Sequence, residues 1–376
     1  MKLKEKYLLL VLIVLSGSCV QQYTPPAVKL NNNFLVVDGV ISGVPDSTTI
    51  TLSRARNLAD TGLRLPEINA QLIIQGQNGT SFPLTDLGNG QYSASNLLLD
   101  VSQNYRLSIT TSDNVNYLSD YVPYKAAPPI DSVTWQREDD GVHIFVSTHD
   151  DKNSTLYYRW DYLETWQYTS AYDSYYSWVN GGPVLRPFDQ HIYTCYNSLP
   201  SSNIFIATSK GLARDVVSDK ELQVVPISSP KIGIEYSILV EQYALTDSAY
   251  NFWLSLLKVS QQLGGLFDAQ PSQLNGNIHC TTNPSETVIG YISASTKQSS
   301  RIFISIFQVL PWVPPVFDNC DTVVIHSASD AQAYFDSGFY IPIDFENGLG
   351  PLFGASALCV DCRLQGGTTT KPLYWP

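Results

Sequence analysis

The stretch Gln71–Leu84, QLIIQGQNGTSFPL, decides the fold of the first part of the chain. It places Asn78-Gly79 between two short apolar runs, and Asn-Gly favours a β-hairpin because both positions of its turn tolerate a positive φ. Gly88-Asn89-Gly90 marks the next turn. Tyr105–Thr110, YRLSIT, then alternates apolar and polar residues with the period of a half-buried strand. Short strands separated by turns at this spacing predict a β-sandwich over residues 34–125.

The rest of the chain predicts a larger β-rich unit over residues 130–376. Ala127-Pro128-Pro129 separates the two units, because proline donates no backbone hydrogen bond to a sheet. One helix is predicted near residues 247–263, with Thr246 or Asp247 as its cap and two glycines after its last turn. The predicted fold class is therefore mainly β, with one α-helix inserted in the second unit.

The first nineteen residues have the pattern of a bacterial lipoprotein signal. A basic start is followed by the apolar run Tyr7–Leu15 and by Ser16-Gly17-Ser18-Cys19. The apolar run is too short to span a bilayer as a helix. We therefore expect cleavage before Cys19 and acylation of its thiol, with residues 20–33 as a flexible tether. The alternative is an ordinary secretory signal with a chance cysteine.

Composition and charge narrow the possible partners. Of the 376 residues, 44% are hydrophobic and 15% are charged, which is typical of a globular protein. The net charge is −12, and removal of the lysine-rich signal makes the body more acidic. Because such a body is repelled by phosphate backbones and by anionic lipids, we expect no nucleic-acid partner, and we expect the lipid to provide membrane attachment.

The chain has six cysteines, and five remain if Cys19 is acylated. Five thiols form at most two disulfides, and the sequence does not select the pairing. Export favours disulfides over thiols, so we expect Cys320 to bridge either Cys359 or Cys362. One alternative is a zinc site in which Cys359 and Cys362 bind the ion together with, for example, Cys320 and either His326 or His279. The other is a redox-active Cys359–Cys362 pair, although such a pair usually lies at a helix N-terminus and this segment has no such context.

Aromatic residues are dense between Tyr157 and Tyr193. Tyrosine and tryptophan offer large contact areas with a polar group, which suits protein or sugar recognition. This segment is the candidate recognition surface, with six residues expected to be exposed: Trp166, Tyr168, Tyr172, Tyr175, Tyr176 and Trp178. The alternative is that these residues fill the core of the second unit.

We find no catalytic signature, and we predict no catalytic residues, no cofactor and no metal. The sequence lacks a G-x-S-x-G elbow, an H-E-x-x-H motif and a P-loop. The acidic clusters Glu138-Asp139-Asp140 and Asp150-Asp151 are typical of solvated turns. We therefore expect the protein not to be an enzyme.

Four segments resemble the domain-of-unknown-function 4249 family of Bacteroidota lipoproteins: Leu35–Ile41 (LVVDGVI), Pro128–Trp135 (PPIDSVTW), Tyr250–Trp253 (YNFW) and Cys359–Pro372 (CVDCRLQGGTTTKP). The resemblance implies a lipoprotein that is often encoded beside a TonB-dependent outer-membrane transporter, with no assigned activity. It also likens the first unit to immunoglobulin-like or transthyretin-like modules, a fold-level analogy.

From these observations we expect a non-catalytic accessory binding partner of a TonB-dependent transporter, anchored by lipid at the outer membrane. The alternative is a structural or adhesive envelope lipoprotein, which tandem β-sandwiches fit equally well. Acidic residues after the lipidated cysteine favour export to the cell surface in this phylum. Val20-Gln21-Gln22-Tyr23 carries no charge, which leaves both the periplasmic and the outer face open.

Overall fold

The computed structural model describes residues 33–56, 65–261, 276–312, 320–345 and 351–376. The first part of the chain folds into ten short strands, and the predicted hairpin is present at Asn78-Gly79, where two of them pair. Gly79 has a φ of 89° there. The strands are β1 (Leu35–Ile41), β2 (Thr48–Arg54), β3 (Leu65–Pro66), β4 (Gln71–Gly76), β5 (Ser81–Pro83), β6 (Thr85–Gly88), β7 (Gln91–Ala94), β8 (Asn104–Thr110), β9 (Asn116–Ser119) and β10 (Val122–Lys125).

The middle of the chain contains nine strands and the predicted helix. The helix runs from Asp247 to Gln261 as α1 and follows the last of these strands closely. The strands are β11 (Ile130–Arg137), β12 (Gly141–Asp150), β13 (Tyr157–Thr169), β14 (Tyr176–Val179), β15 (Gly182–Leu185), β16 (Thr194–Pro200), β17 (Phe205–Thr208), β18 (Asp215–Pro226) and β19 (Glu235–Ala244).

The last part of the chain adds seven strands and two short helices to a mainly β fold. Among the described residues, no helix combines the length and apolar character needed to cross a bilayer. The elements are β20 (Ile278–Cys280), β21 (Val288–Gly290), β22 (Ser293–Ser295), β23 (Lys297–Ser305), β24 (Thr322–Ile325), α2 (Ala328–Phe335), β25 (Tyr340–Phe345), β26 (Leu352–Ser356) and α3 (Ala357–Val360).

The first sheet is not built from residues 34–125 alone. It has 13 strands, and three of them, β20, β21 and β22, come from residues 278–295. β21 and β22 run parallel to β1, and β22 also runs parallel to β10. A parallel neighbour requires a long crossover connection, which the second unit provides here. The predicted segments 34–125 and 130–376 therefore do not form two separate sheets, because the chain returns to the first.

The second unit packs two sheets face to face. One has the order β11-β12-β18, and the other has the order β16-β13-β19-β23 with β17 beside β13. Inward-facing residues of β12, β13 and β19 fill the space between them, including the fully buried Trp160. The Trp160 indole nitrogen donates to Gln242 Oε1 at 2.8 Å, so this buried polar group is satisfied.

The C-terminal segment forms a small sheet of β24, β26 and β25, and two disulfides fasten it. The first, here called the long bridge, joins Cys195 to Cys362 across 167 positions. The second, the short bridge, joins Cys320 to Cys359 across 39 positions. Cys280 is buried and free, within the core of the first sheet.

Candidate functional site

A cleft lies between the first sheet and the second unit, with a cavity volume of about 900 Å³. Its walls come from β1 and β21 on one side and from β13, the segment before β17, β18 and α1 on the other. Two smaller cavities of about 260 and 310 Å³ are also lined by Asp38, Arg159 and Asp161. These three residues therefore mark the polar end of the cleft.

Helix α1 forms the apolar wall of the cleft. The helix begins where Thr246 Oγ1 accepts a hydrogen bond from the Ala249 backbone N–H at 3.1 Å, which satisfies one free donor of the first turn. Phe252 is buried against the body of the protein and also reaches the cleft. Leu256 lies four positions after Phe252, and Leu257 lies four positions after Trp253, so both line the same cavity one turn further along the helix.

Arg159 and Asp161 form an ion pair at the polar end. Their positions two apart on β13 place both side chains on the same face of the strand. Arg159 Nη2 donates to both carboxylate oxygens of Asp161, at 2.8 and 3.0 Å. The guanidinium also lies 4.0 Å from the centre of the Trp253 ring. This cation–π contact holds Arg159 between the helix and the carboxylate.

The carboxylates of Asp38 and Glu241 add negative charge near this pair. Burial raises the pKa of Asp161 above its usual range, Arg159 opposes that rise, and the charges of Asp38 and Glu241 add to it. Glu241 is itself paired, since it accepts a hydrogen bond from Lys297 Nζ at 2.7 Å. Lys297 also lies 3.5 Å from Asp46.

Burial lowers the pKa of Lys297, but Glu241 and Asp46 outweigh this and raise it overall. Lys297 therefore carries its charge at neutral pH. Among the residues the structure describes, Asp38 forms no hydrogen bond or ion pair, and its side chain is exposed to the cleft. Trp253 Nε1 is buried and likewise has no hydrogen-bond partner within the described ranges.

The lining of the cleft combines hydroxyl, amide and carboxylate groups with an apolar wall. The described residues that line it include four serines but no histidine or cysteine that could activate a nucleophile. Ser202 and Asn203 lie exposed at the rim. An apolar wall facing a few convergent polar groups is typical of small-molecule sites.

One set of side chains away from the cleft has metal-ligating atoms close together. Among the described residues, Glu138, Asp140 and His143 each offer an atom within 4.8 Å of the others. His143 Nε2 lies 2.9 Å from Asp140 Oδ1, and this hydrogen bond raises the pKa of His143.

The predicted aromatic residues do not form one surface. Tyr168 is buried and donates to the Cys362 carbonyl at 2.8 Å. Tyr172 donates to the Cys320 carbonyl. Both hydroxyls therefore serve the contact between this segment and the bridged C-terminal segment.

The other four aromatic residues lie at different places. Trp166 is partly buried and packs beside the Lys231 ammonium, which lies 4.9 Å from its ring centre. Trp178 is half-buried and its Nε1 donates to Asp336 at 2.6 Å. Tyr176 lies on β14, and Tyr175 is the one of the six that is exposed, at 49%.

Cys19, with the signal and residues 20–32 of the tether, lies outside the described residues. The structure bonds Cys320 to Cys359 and gives Cys362 a partner, Cys195, that the sequence analysis did not name.

Sequence reasoning did not identify the cleft residues, although two signals pointed to them. Asp38 lies within Leu35–Ile41 and Trp253 lies within Tyr250–Trp253, so two of the segments that carry the family resemblance face each other across the cleft. Arg159 and Asp161 are charged residues on a strand rich in aromatic residues. A charged pair at successive same-face positions of such a strand indicates a polar site beside the core.

Comparisons with known proteins identify a family and no activity. A family model described as Domain of unknown function (DUF4249) matches residues 20–301. Among solved structures, the chain is similar to a Bacteroides uniformis protein described as a candidate carbohydrate binding protein, at 8% identity over 58% of this chain and 92% of the other, with a TM-score of 0.14. So low a score supports no conclusion about fold or ligand. No curated protein matches the sequence.

Proposed function

We propose, for a chain that belongs to the DUF4249 family, a non-catalytic binding function at the cell envelope. The cleft holds a small ligand, and the protein acts as the accessory partner of a TonB-dependent outer-membrane transporter that receives or shares that ligand. The single observation that supports ligand binding is the cleft itself, whose volume of about 900 Å³ falls in the range of small-molecule sites.

The anchor and the partner in this proposal rest on sequence. A lipid on Cys19 would hold the protein at the outer membrane. The uncharged Val20–Tyr23 does not indicate whether the protein faces the periplasm or the cell exterior. The transporter comes from the family resemblance alone. For the first unit we propose an immunoglobulin-like or transthyretin-like module, to which the strands of residues 278–295 are added.

The test of the anchor and the partner is a pull-down of the tagged full-length protein from its own membranes. We expect co-purification of a β-barrel transporter, and loss of membrane attachment in Cys19→Ser. The absence of any transporter would refute the accessory role. If deletion of the gene alters cell attachment but leaves nutrient uptake unchanged, the adhesive alternative replaces it.

The test of ligand binding compares two tryptophan substitutions at exposed serines. Ser202→Trp fills the rim of the cleft, whereas Ser112→Trp lies in an exposed turn after β8. Small molecules released by denaturing each purified protein are identified by mass spectrometry. We expect Ser112→Trp to retain the wild-type compounds and Ser202→Trp to lose them. Identical contents in the two variants would refute the cleft as the ligand site.

A further inference from the structure

The cleft offers different chemistry at its two ends. Phe252, Leu256 and Leu257 provide an apolar wall, and Asp38 lies at the polar end of the same cavity. A ligand that fills the cavity therefore contacts hydrocarbon on one side and charged groups on the other. A purely polar ligand would leave the apolar wall without partners, and a purely apolar one would bury the Asp38 carboxylate unpaired.

The charges at the polar end do not cancel. Arg159 is paired with Asp161 at 2.8 Å, and Lys297 is paired with Glu241 at 2.7 Å. Asp38 remains as a carboxylate without a hydrogen-bond or ion-pair partner among the described residues. The charged residues that line the cavity are three acidic ones, Asp38, Asp161 and Glu221, and two basic ones, Arg159 and Lys220, so the lining carries an excess of one negative charge.

An anionic ligand is poorly served at the polar end of the cleft; the other basic residue of the lining, Lys220, lies on β18 next to the acidic Glu221 in the chain. Arg159 faces the cavity, but its guanidinium is largely buried, with 12% of the side chain exposed, and both oxygens of Asp161 already bind it. An anion that approached Arg159 would also meet Asp38 and Asp161, and their negative charges would repel it. A cation meets the opposite field from the same residues.

We infer that the cleft selects an organic monocation with an apolar body, such as a primary ammonium attached to an aromatic or aliphatic group. The ammonium binds the Asp38 carboxylate, and the apolar body lies against Phe252, Leu256 and Leu257. This inference rests on the proposed function of the cleft as a ligand site. It adds the chemical class of the ligand, because a charge-assisted hydrogen bond to an unpaired carboxylate is stronger than a neutral one.

The test uses three naphthalene probes of similar size that differ in charge: 1-naphthylmethylammonium, 1-naphthalenemethanol and 1-naphthoate. Binding to the full-length lipoprotein in nanodiscs is measured by calorimetry. We expect the ammonium probe to bind about tenfold tighter than the alcohol, from one charge-assisted hydrogen bond, and we expect no binding of the naphthoate. Asp38→Asn should reduce the ammonium affinity to that of the alcohol.

The matched control is Asp139→Asn, which removes the same charge from an exposed turn between β11 and β12 and should keep the tenfold preference. Equal affinity for the ammonium and the alcohol, or a preference that survives Asp38→Asn, overturns the inference. If the two probes bind equally and Ser202→Trp abolishes both, the cleft remains a ligand site and only the charge selection fails. If neither probe binds and Ser202→Trp also keeps the native small molecules, both the inference and the proposed function of the cleft as a ligand site fail.

Discussion

Replacing Arg159 by methionine isolates the electrostatic contribution of the ion pair at the polar end of the cleft. Methionine keeps an unbranched apolar stem beside Trp253 but removes the guanidinium. Asp161 then loses its hydrogen bonds to Arg159 Nη2 at 2.8 and 3.0 Å. The carboxylate is left beside Asp38 and Glu241, whose charges already raise its pKa.

The expected cost follows from how far Asp161 is withdrawn from water. Breaking a fully buried ion pair by removing one partner costs about 3–5 kcal/mol, and exposed pairs contribute about 0–1 kcal/mol. The side chain of Asp161 is 32% exposed and that of Arg159 is 12% exposed. We therefore expect Arg159→Met to lower the free energy of unfolding by about 2 kcal/mol at pH 7.5, between these two limits.

The destabilisation by Arg159→Met depends on pH through the protonation of Asp161. A carboxyl group whose pKa is raised by folding binds its proton more tightly in the folded state, so its contribution to stability falls as pH rises above about 4. Removing Arg159 takes away the group that opposes the rise in the pKa of Asp161. The destabilisation by Arg159→Met should therefore be smaller at pH 5 than at pH 7.5.

The assay is urea unfolding of the wild type, Arg159→Met, Asp161→Asn and the double variant, at both pH values. The double variant should be more stable than Arg159→Met at pH 7.5, because it has no unpaired carboxylate at this position. An equal loss at pH 5 and pH 7.5, together with no recovery in the double variant, would show that lost packing and not charge causes the effect. The reasoning about the polar end would then be wrong.

Three further predictions concern other parts of the structure. In urea unfolding, replacing both cysteines of the long bridge by alanine should lower the free energy of unfolding by about 1 kcal/mol more than the same change in the short bridge. The reason is that the long bridge closes a loop of 167 positions and the short bridge closes one of 39. In an NMR titration, His149 should have a pKa above its usual value, because its ring hydrogen-bonds Asp131 at 2.8 Å, and Asp131→Asn should lower that pKa. The contribution of this hydrogen bond to stability is complete below about pH 6.5 and is lost as the pH rises. Gly290→Ala should destabilise more than Gly79→Ala, by about 2 kcal/mol in thermal unfolding, because a Cβ at Gly290 would lie 2.1 Å from the Val37 carbonyl oxygen and one at Gly79 meets nothing within 4 Å.

The sequence predicted the elements whose signals are local. The Asn78-Gly79 hairpin needs only the two residues of its turn, and α1 needs its cap and its apolar spacing, so both follow from short windows of sequence. The pairing of β1 with β21 and β22 joins positions about 250 apart, and nothing within either strand specifies a partner at that distance. The cleft lies at this junction, which explains why its residues were found only in three dimensions.

The same junction connects the two walls of the cleft to each other. Ser295, at the end of β22, accepts a hydrogen bond from Ser42 Oγ of the first unit at 2.8 Å, and its own Oγ accepts one from the Ala244 backbone N–H of the second at 3.0 Å. Lys297 then pairs with Asp46 on one side and Glu241 on the other. The segment that contains Ser295 and Lys297 passes between the sheets and contacts both units. It therefore fixes the two walls of the cleft relative to each other. A site whose walls are already fixed loses less conformational freedom when a ligand enters, which leaves more of the contact energy as affinity.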